Sequence, residues 1–286
     1  MYKKQLELVE KILNNYPSEC RKNYYENKDT LIIIEDEEEP TIKTIGGTYD
    51  EVDNIIKIYN SDSIFHELFH MCFRNKNNID KKIFENKNIY FSNGVSYKIE
   101  KEDKTTYCGK GINEGFTEYL NRKINSSRGR AFEYFIVDLL ISIYGEDILK
   151  YPLTNDINGF YSDERFFDII RLRLALDQYY YCLEYFKLVK YLIVPITDNL
   201  ETEDKKEIMM TFDNNITKLY TSIIDSIEAI IDEYKNCKNP LIKIETLKYK
   251  INNFLLNKDH QFDIELPKLK KYDIESDIQK IIKNLH

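Results

Sequence analysis

Two histidines four residues apart, with a glutamate beside the first, stand in the segment His66-Glu67-Leu68-Phe69-His70. On an α-helix, residues four apart share a face, so both imidazoles can reach one metal ion. Zinc accepts such nitrogen ligands. Glu67 lies next to the first ligand, where a carboxylate can take the proton of a metal-activated water; this is the H-E-x-x-H pattern. Its neighbours Ile64, Phe65, Leu68, Phe69, Met71, Cys72 and Phe73 are all apolar, so the helix is expected to be buried nearly all round. Only His66, Glu67 and His70 interrupt the middle of it. Burying polar groups without partners costs about 2–7 kcal/mol each, and a metal ion removes that cost. The chain has 4 histidines and two are here. The competing reading is a core helix with two hydrogen-bonded histidines.

A second constellation follows in Gly109-Lys110-Gly111-Ile112-Asn113-Glu114-Gly115-Phe116-Thr117-Glu118-Tyr119-Leu120. Ile112, Phe116, Tyr119, Leu120 and Ile124 recur at helical spacing. Glu114 and Glu118 therefore stack on one face. Two aligned carboxylates among apolar residues suit a third metal ligand with a supporting acid. A surface helix with two exposed acids is the alternative.

Taken together, HELFH and NEGFTEYL resemble the gluzincin zinc metallopeptidases, in which H-E-x-x-H is followed by a glutamate ligand on a second helix. The N-E-G-F portion is similar to the M1 aminopeptidases, and Ile112-Asn113-Glu114 to thermolysin-type enzymes. The resemblance implies a Zn2+ ion on His66, His70 and Glu114, with Glu67 as general base. It places Glu118 where an acid hydrogen-bonds the first histidine ligand, and it implies hydrolysis of a peptide or protein substrate. The separation of His70 from Glu114 is longer than in those families, and a hairpin region fills the difference. The G-x-M-E-N motif that holds a substrate amino terminus in M1 enzymes is absent; Gly46-Gly47-Thr48-Tyr49 occupies a comparable place without the glutamate. Endo- and exopeptidase modes stay open. Metzincins are excluded, because no third histidine follows at their spacing; His260 and His286 are remote and read as surface residues. Peptide hydrolysis also needs a donor to the oxyanion. Tyr107, just before the Glu114 helix, is the candidate, with Tyr151 and Tyr161 as alternatives.

These helices need elements to position them. Residues 4–15 read as an amphipathic helix through Leu6, Val9, Ile12 and Leu13. Leu31–Glu35, Thr41–Ile45 and Ile55–Tyr59 read as strands, with a turn at Gly46-Gly47 and a solvated acidic loop at 35–39. Ser61, Asp62 or Ser63 is expected to cap the HELFH helix. Residues 75–110 look irregular apart from a hairpin about Asn93-Gly94, a strong two-residue signal that suits either the edge of a cleft or an insert. Beyond 126 the pattern is helical: Phe132–Tyr144, then a long helix capped by Ser162 and running to Pro195, then Glu201–Cys237, and two shorter helices after Pro240. The Tyr179-Tyr180-Tyr181 stripe reads as core. The expected fold is α+β: a zincin-like catalytic half over 1–125, with a small mixed sheet and the active-site helix. A mostly α-helical half over 126–286 forms the other wall of the cleft.

Composition narrows the function classes. The 286 residues are 42% hydrophobic and 31% charged, enough for a sizeable core. A net charge of −8, with basic residues interleaved among acids, argues against nucleic acid or an anionic membrane as partner. The 5 cysteines are scattered without a C-x-x-C, as expected of thiols in a reducing compartment. No signal peptide and no apolar run of about 18 residues is seen, so a cytoplasmic location is expected. The alternative function is a catalytically inactive zinc-containing binding or scaffold protein with a peptidase fold. Glu67 argues against it, since a structural zinc site needs no base.

Overall fold

Alternation along Ile55-Ile56-Lys57-Ile58 makes a strand with one dry face, and Ile56 and Ile58 are buried while Lys57 is exposed. The computed structural model describes residues 2–35, 46–76, 82–84, 87–101, 104–126, 129–189, 202–256 and 272–285, and the fold across them is α+β. Helices α1 (Lys3–Leu13) and α2 (Lys22–Lys28) precede a sheet of β1 (Ile32–Glu35), β2 (Gly47–Asp50) and β3 (Ile55–Ile58) in the order β1-β3-β2. The sheet is mixed, since β1 runs parallel to β3 and β2 antiparallel to it. Gly47 belongs to this ladder and not to a turn. It pairs with Ile58, and the Gly46 carbonyl extends the pairing by accepting from Tyr59 N at 3.0 Å and Asn60 N at 2.8 Å. The strand expected at Thr41–Ile45, most of the acidic run, Pro195, His260 and His286 lie outside the described residues.

Helix α3 (Ile64–Phe73) carries HELFH and follows a single 3-10 turn at Ser61–Ser63. Asn60 caps that turn, its Oδ1 accepting from Asp62 N at 3.0 Å; Ser63, one of the three residues expected, stands at the N-cap position of α3, but its side chain makes no capping bond. Ser63 Oγ is engaged elsewhere, donating toward Gly46 O at 2.5 Å and Asn60 O at 2.7 Å.

The stretch expected to be irregular is an antiparallel meander of β4 (Lys82–Phe84), β5 (Lys87–Asn93), β6 (Ser96–Lys101) and β7 (Lys104–Cys108). β6 shows the alternation of a half-buried strand, with Tyr97 and Ile99 buried on either side of Lys98, whereas the short β4 and β7 have no such pattern in their sequences. The hairpin exists one residue later than expected. Asn93 pairs with Ser96, and Gly94 at φ +60 opens the loop. Type II′ turns reserve that first loop position for glycine.

The remaining described α-helices are α4 (Lys110–Asn121), α5 (Ala131–Tyr144), α6 (Lys150–Thr154), α7 (Ile157–Tyr161), α8 (Ile169–Leu188), α9 (Thr202–Asn236), α10 (Ile244–Leu256) and α11 (Ile274–Lys283). Ser162 does not cap α8. Asp168 does, accepting from Arg171 N at 3.1 Å, because the preceding link is tied down by Tyr151–Asp163 and Arg165–Asp147 contacts. One hydrophobic core runs through both halves of the chain: Leu68, Phe69 and Phe73 of α3, Ile112 and Phe116 of α4, Phe132 of α5 and Leu172 of α8 all belong to it. Burying such a side chain stabilises the fold by about 1.5–3 kcal/mol. Helix α4 sits where α5 and α8 press closest. A Cβ on Gly111 would lie 2.2 Å from Leu176 O, and one on Gly115 would lie 2.5 Å from Glu133 O. Among the described residues no helix is long and apolar enough to cross a membrane.

Candidate metal centre

His66 and His70 project from successive turns of α3, with ring centroids 4.9 Å apart and Nε2 atoms 3.2 Å apart. Glu114 enters from α4, its Oε2 at 3.1 Å from His66 Nε2 and 3.6 Å from His70 Nε2. The three candidate ligand atoms lie within 4.8 Å of one another. The far side of each ring is held as well. His66 Nδ1 is 3.2 Å from Glu118 Oε2, and His70 Nδ1 is 3.3 Å from Thr117 Oγ1. The Thr117 hydroxyl donates to Asn113 O at 2.9 Å, so toward His70 it accepts. A carboxylate only accepts. Both Nδ1 atoms therefore act as donors, which leaves each Nε2, on the side of the Glu114 oxygen, as the atom available to a metal ion.

His66 Nε2, His70 Nε2 and Glu114 Oε2 thus converge on one point, where either a proton on His66 Nε2 or a metal ion can join them. Two imidazoles and a carboxylate, each ring oriented by a hydrogen bond on its far side, fit a bound metal ion. Any cation is drawn to this point, a proton included. Burial would lower the His66 pKa, but the hydrogen bonds to Glu114 and Glu118 outweigh it and raise it to about 10. Burial would raise Glu114, yet Arg130, His70 and His66 hold it well below the usual carboxylate range. Glu118 is buried too, and is lowered by His66, Arg122 and Asn121.

Arg130 supplies the nearest permanent positive charge. It precedes α5 in a left-handed conformation, φ 48 and ψ 42, uncommon for a side-chain-bearing residue. Its Nε is 3.4 Å from Glu114 Oε2, its Nη1 is 3.0 Å from Glu184 Oε1, and its guanidinium lies 4.9 Å from the centre of the Tyr180 ring.

His66, Glu67, His70 and Glu114 all line one cleft of about 240 Å3. Glu67 is buried, and burial pushes its carboxyl up from the ordinary value. β2 leaves room for it: a Cβ on Gly47 would lie 3.0 Å from Glu67 Cγ and 2.8 Å from Ser63 Oγ. Arg130, Tyr180 and Glu184 line the same cleft. The N-terminus of α4 is fixed as well, where Asp177 of α8 accepts from Gly109 N at 2.7 Å and Gly111 N at 3.0 Å.

The residues selected from sequence divide cleanly. The structure brings His66, Glu67, His70, Glu114 and Glu118 together. It does not bring the three tyrosines. Tyr107 sits on β7, 40% exposed, beside the Lys98 and Lys110 ammonium groups, and is not among the cleft-lining residues. Tyr151 donates to Asp163 and Tyr161 to Val95 O. Of the Tyr179–Tyr181 stripe, Tyr179 is core as expected, whereas Tyr180 lines the cleft and Tyr181 is exposed. Arg130 was missed. The available signal was the need of two buried carboxylates for cations: Arg122, four residues after Glu118, was within reach of that logic and does pair with it at 2.8 Å. No family model, curated protein or solved structure matches this chain.

Proposed function

We propose that the chain is a zinc-dependent peptidase in which His66, His70 and Glu114 hold the metal and Glu67 is the general base. The observation that carries this reading is the convergence of His66 Nε2, His70 Nε2 and Glu114 Oε2 within 4.8 Å of one another. Two histidines and one glutamate are a ligand set of hydrolytic zinc and leave a position open. The HELFH helix packed on a small mixed sheet, with helices across the cleft, is also what the gluzincin resemblance implies.

Bound zinc supplies a Lewis acid that acidifies water and polarises a carbonyl. Glu67, its basicity raised by burial, takes the water's proton and passes it to the leaving amine. Arg130 and Tyr180, which line the same cleft as Glu67, are the groups available to stabilise the oxyanion. Tyr107 takes that role only by leaving its place beside Lys98 and Lys110. The substrate is a peptide or protein. None of the five cysteines forms a disulfide, in keeping with a reducing compartment such as the cytoplasm.

Metal analysis and a peptide-library digest test the reading. Purified protein should carry about one zinc per chain, and His66→Ala and His70→Ala should lose it. Glu67→Gln should keep zinc and fold while hydrolysis falls by about 10²–10⁴-fold. Folded protein that takes up no zinc overturns the proposal, as does a Glu67→Gln variant that cleaves at the wild-type rate. Zinc binding without any cleavage by the wild type points to the scaffold alternative.

A further inference from the structure

Asn93 closes the β5–β6 hairpin at the edge of the cleft, and its side chain is in an unusual position. The residue is 3% exposed and lines the same cleft as His66, Glu67 and His70. Its Oδ1 is buried and has no hydrogen-bond donor among the described residues. Buried polar atoms are nearly always paired, so this oxygen calls for a donor from outside the fold. The backbone around it is rigid. Asn93 bridges to Arg74, Ser96 Oγ donates to Asn93 O at 2.8 Å, and Gly94 N donates to Phe73 O at 3.2 Å.

Asn113 completes the picture from α4. It too lines the cleft and is 2% exposed. Its Oδ1 is committed to the Val95 N–H at 3.1 Å, which limits what it can offer a ligand to its Nδ2 donors. Its amide packs directly against the hairpin: a Cβ on Gly94 would lie 2.2 Å from Asn113 Oδ1. Two neighbouring amides therefore present an acceptor and a donor beside the candidate metal ligands. A peptide group presents the complementary N–H and C=O.

We infer that Asn93, with Asn113 beside it, is a substrate-binding site that grips a peptide group of the chain being cleaved. This rests on the peptidase reading above and adds to it the residue that recognises the substrate main chain. Side-chain identity matters little to such a contact, because every residue of a peptide carries the same N–H and C=O. Being fixed by the hairpin and by α4, the pair needs no reorganisation to bind.

Two zinc-directed probes separate the possibilities on the zinc-loaded full chain by calorimetry. Acetohydroxamate carries the metal-binding head alone, and N-acetyl-alanyl-leucine hydroxamate adds peptide groups to it. Asn93→Leu, close in shape but without the amide, should weaken the peptide hydroxamate by about 3–10-fold, the size of one neutral hydrogen bond. Acetohydroxamate affinity and zinc content should not change. Asn93→Ser, smaller and polar, repeats the comparison should the leucine disturb folding, with thermal unfolding as the check. Unchanged binding of the peptide hydroxamate overturns the inference and leaves the peptidase reading standing; the amide is then satisfied by water. An equal loss for both probes overturns it too, since the residue then acts on the metal site. If the zinc-loaded wild type binds neither probe, the peptidase reading falls and takes the inference with it.

Discussion

Replacing Glu118 by glutamine separates a metal ligand from a group that orients one. The Glu118 carboxylate accepts from three donors: His66 Nδ1 at 3.2 Å and Asn121 Nδ2 at 2.9 Å on Oε2, and Arg122 Nε at 2.8 Å on Oε1. Glutamine has one acceptor oxygen, so its amide nitrogen must face either Arg122 or the His66 and Asn121 donors. Whichever way it turns, the bond to His66 loses its charge assistance or disappears. Hydrogen bonds to charged groups contribute about 1.5–3 kcal/mol and neutral ones about 0.5–1.5, so roughly 1–2 kcal/mol of ligand orientation is lost. Zinc affinity should fall by about 5–30-fold, near the range seen when the outer partner of a metal-bound histidine is removed. Glu114→Ala removes a ligand and should abolish stable binding. Competition against a chromophoric chelator, at one pH and ionic strength, measures both. Affinity within twofold of wild type in Glu118→Gln would refute the orienting role. If Glu118→Ala emptied the site while Glu114→Ala stayed metallated, α4 would be out of register by one turn, about 5.4 Å.

Arg130→Ala should lower peptide hydrolysis by about 10²–10³-fold with zinc retained, and Arg130→Lys should recover part of it; a change confined to KM would show that Arg130 binds substrate without stabilising the oxyanion. His66 is raised to about 10 in the metal-free chain, so it is protonated at pH 7 and must lose that proton to bind metal. Loading zinc should therefore release about one proton per chain, and affinity should rise with pH until about pH 10; binding heats that do not vary between buffers of different ionisation enthalpy would contradict this. Gly47→Ala places a methyl 3.0 Å from Glu67 Cγ and 2.8 Å from Ser63 Oγ, so kcat should fall with zinc content unchanged. An unaltered kcat would show that Glu67 does not depend on its fit against β2.

Short-range pattern made the metal-binding face legible. His66 and His70 had to share a helix face, Glu114 and Glu118 had to share another, and both pairs sit as their spacing requires. The three-stranded sheet was partly legible for the same reason, since β1 and β3 are apolar runs with few rival readings. What could not be read depended on pairing at long range. Gly47 looks like a turn residue until β3 is beside it. The central hairpin of the second sheet was legible from its apolar residues, but the outer strands β4 and β7 carry little such signal, and hydrogen bonding to their neighbours defines them. Asp168, not Ser162, caps α8 because ion pairs hold the intervening link outside the helix. Arg130, Tyr180 and Glu184 reach the cleft from a helix and a helix start far along the chain, and no local spacing announces that. Asn93 escaped notice because asparagine in a hairpin is already accounted for by the turn.

The way α4 is secured bears on the order in which the protein becomes competent during synthesis. His66, His70 and Glu114 all leave the ribosome early, yet α4 is fastened by groups translated afterwards. Leu176 and Glu133 close on its glycines, Asp177 accepts its first N–H groups, and Arg130 balances Glu114. A nascent chain long enough to contain the ligands still lacks the clamp that aligns them, because elements made later have yet to dock. Under the function proposed above, a partly made chain would hold all three ligands without the alignment that α8 gives α4.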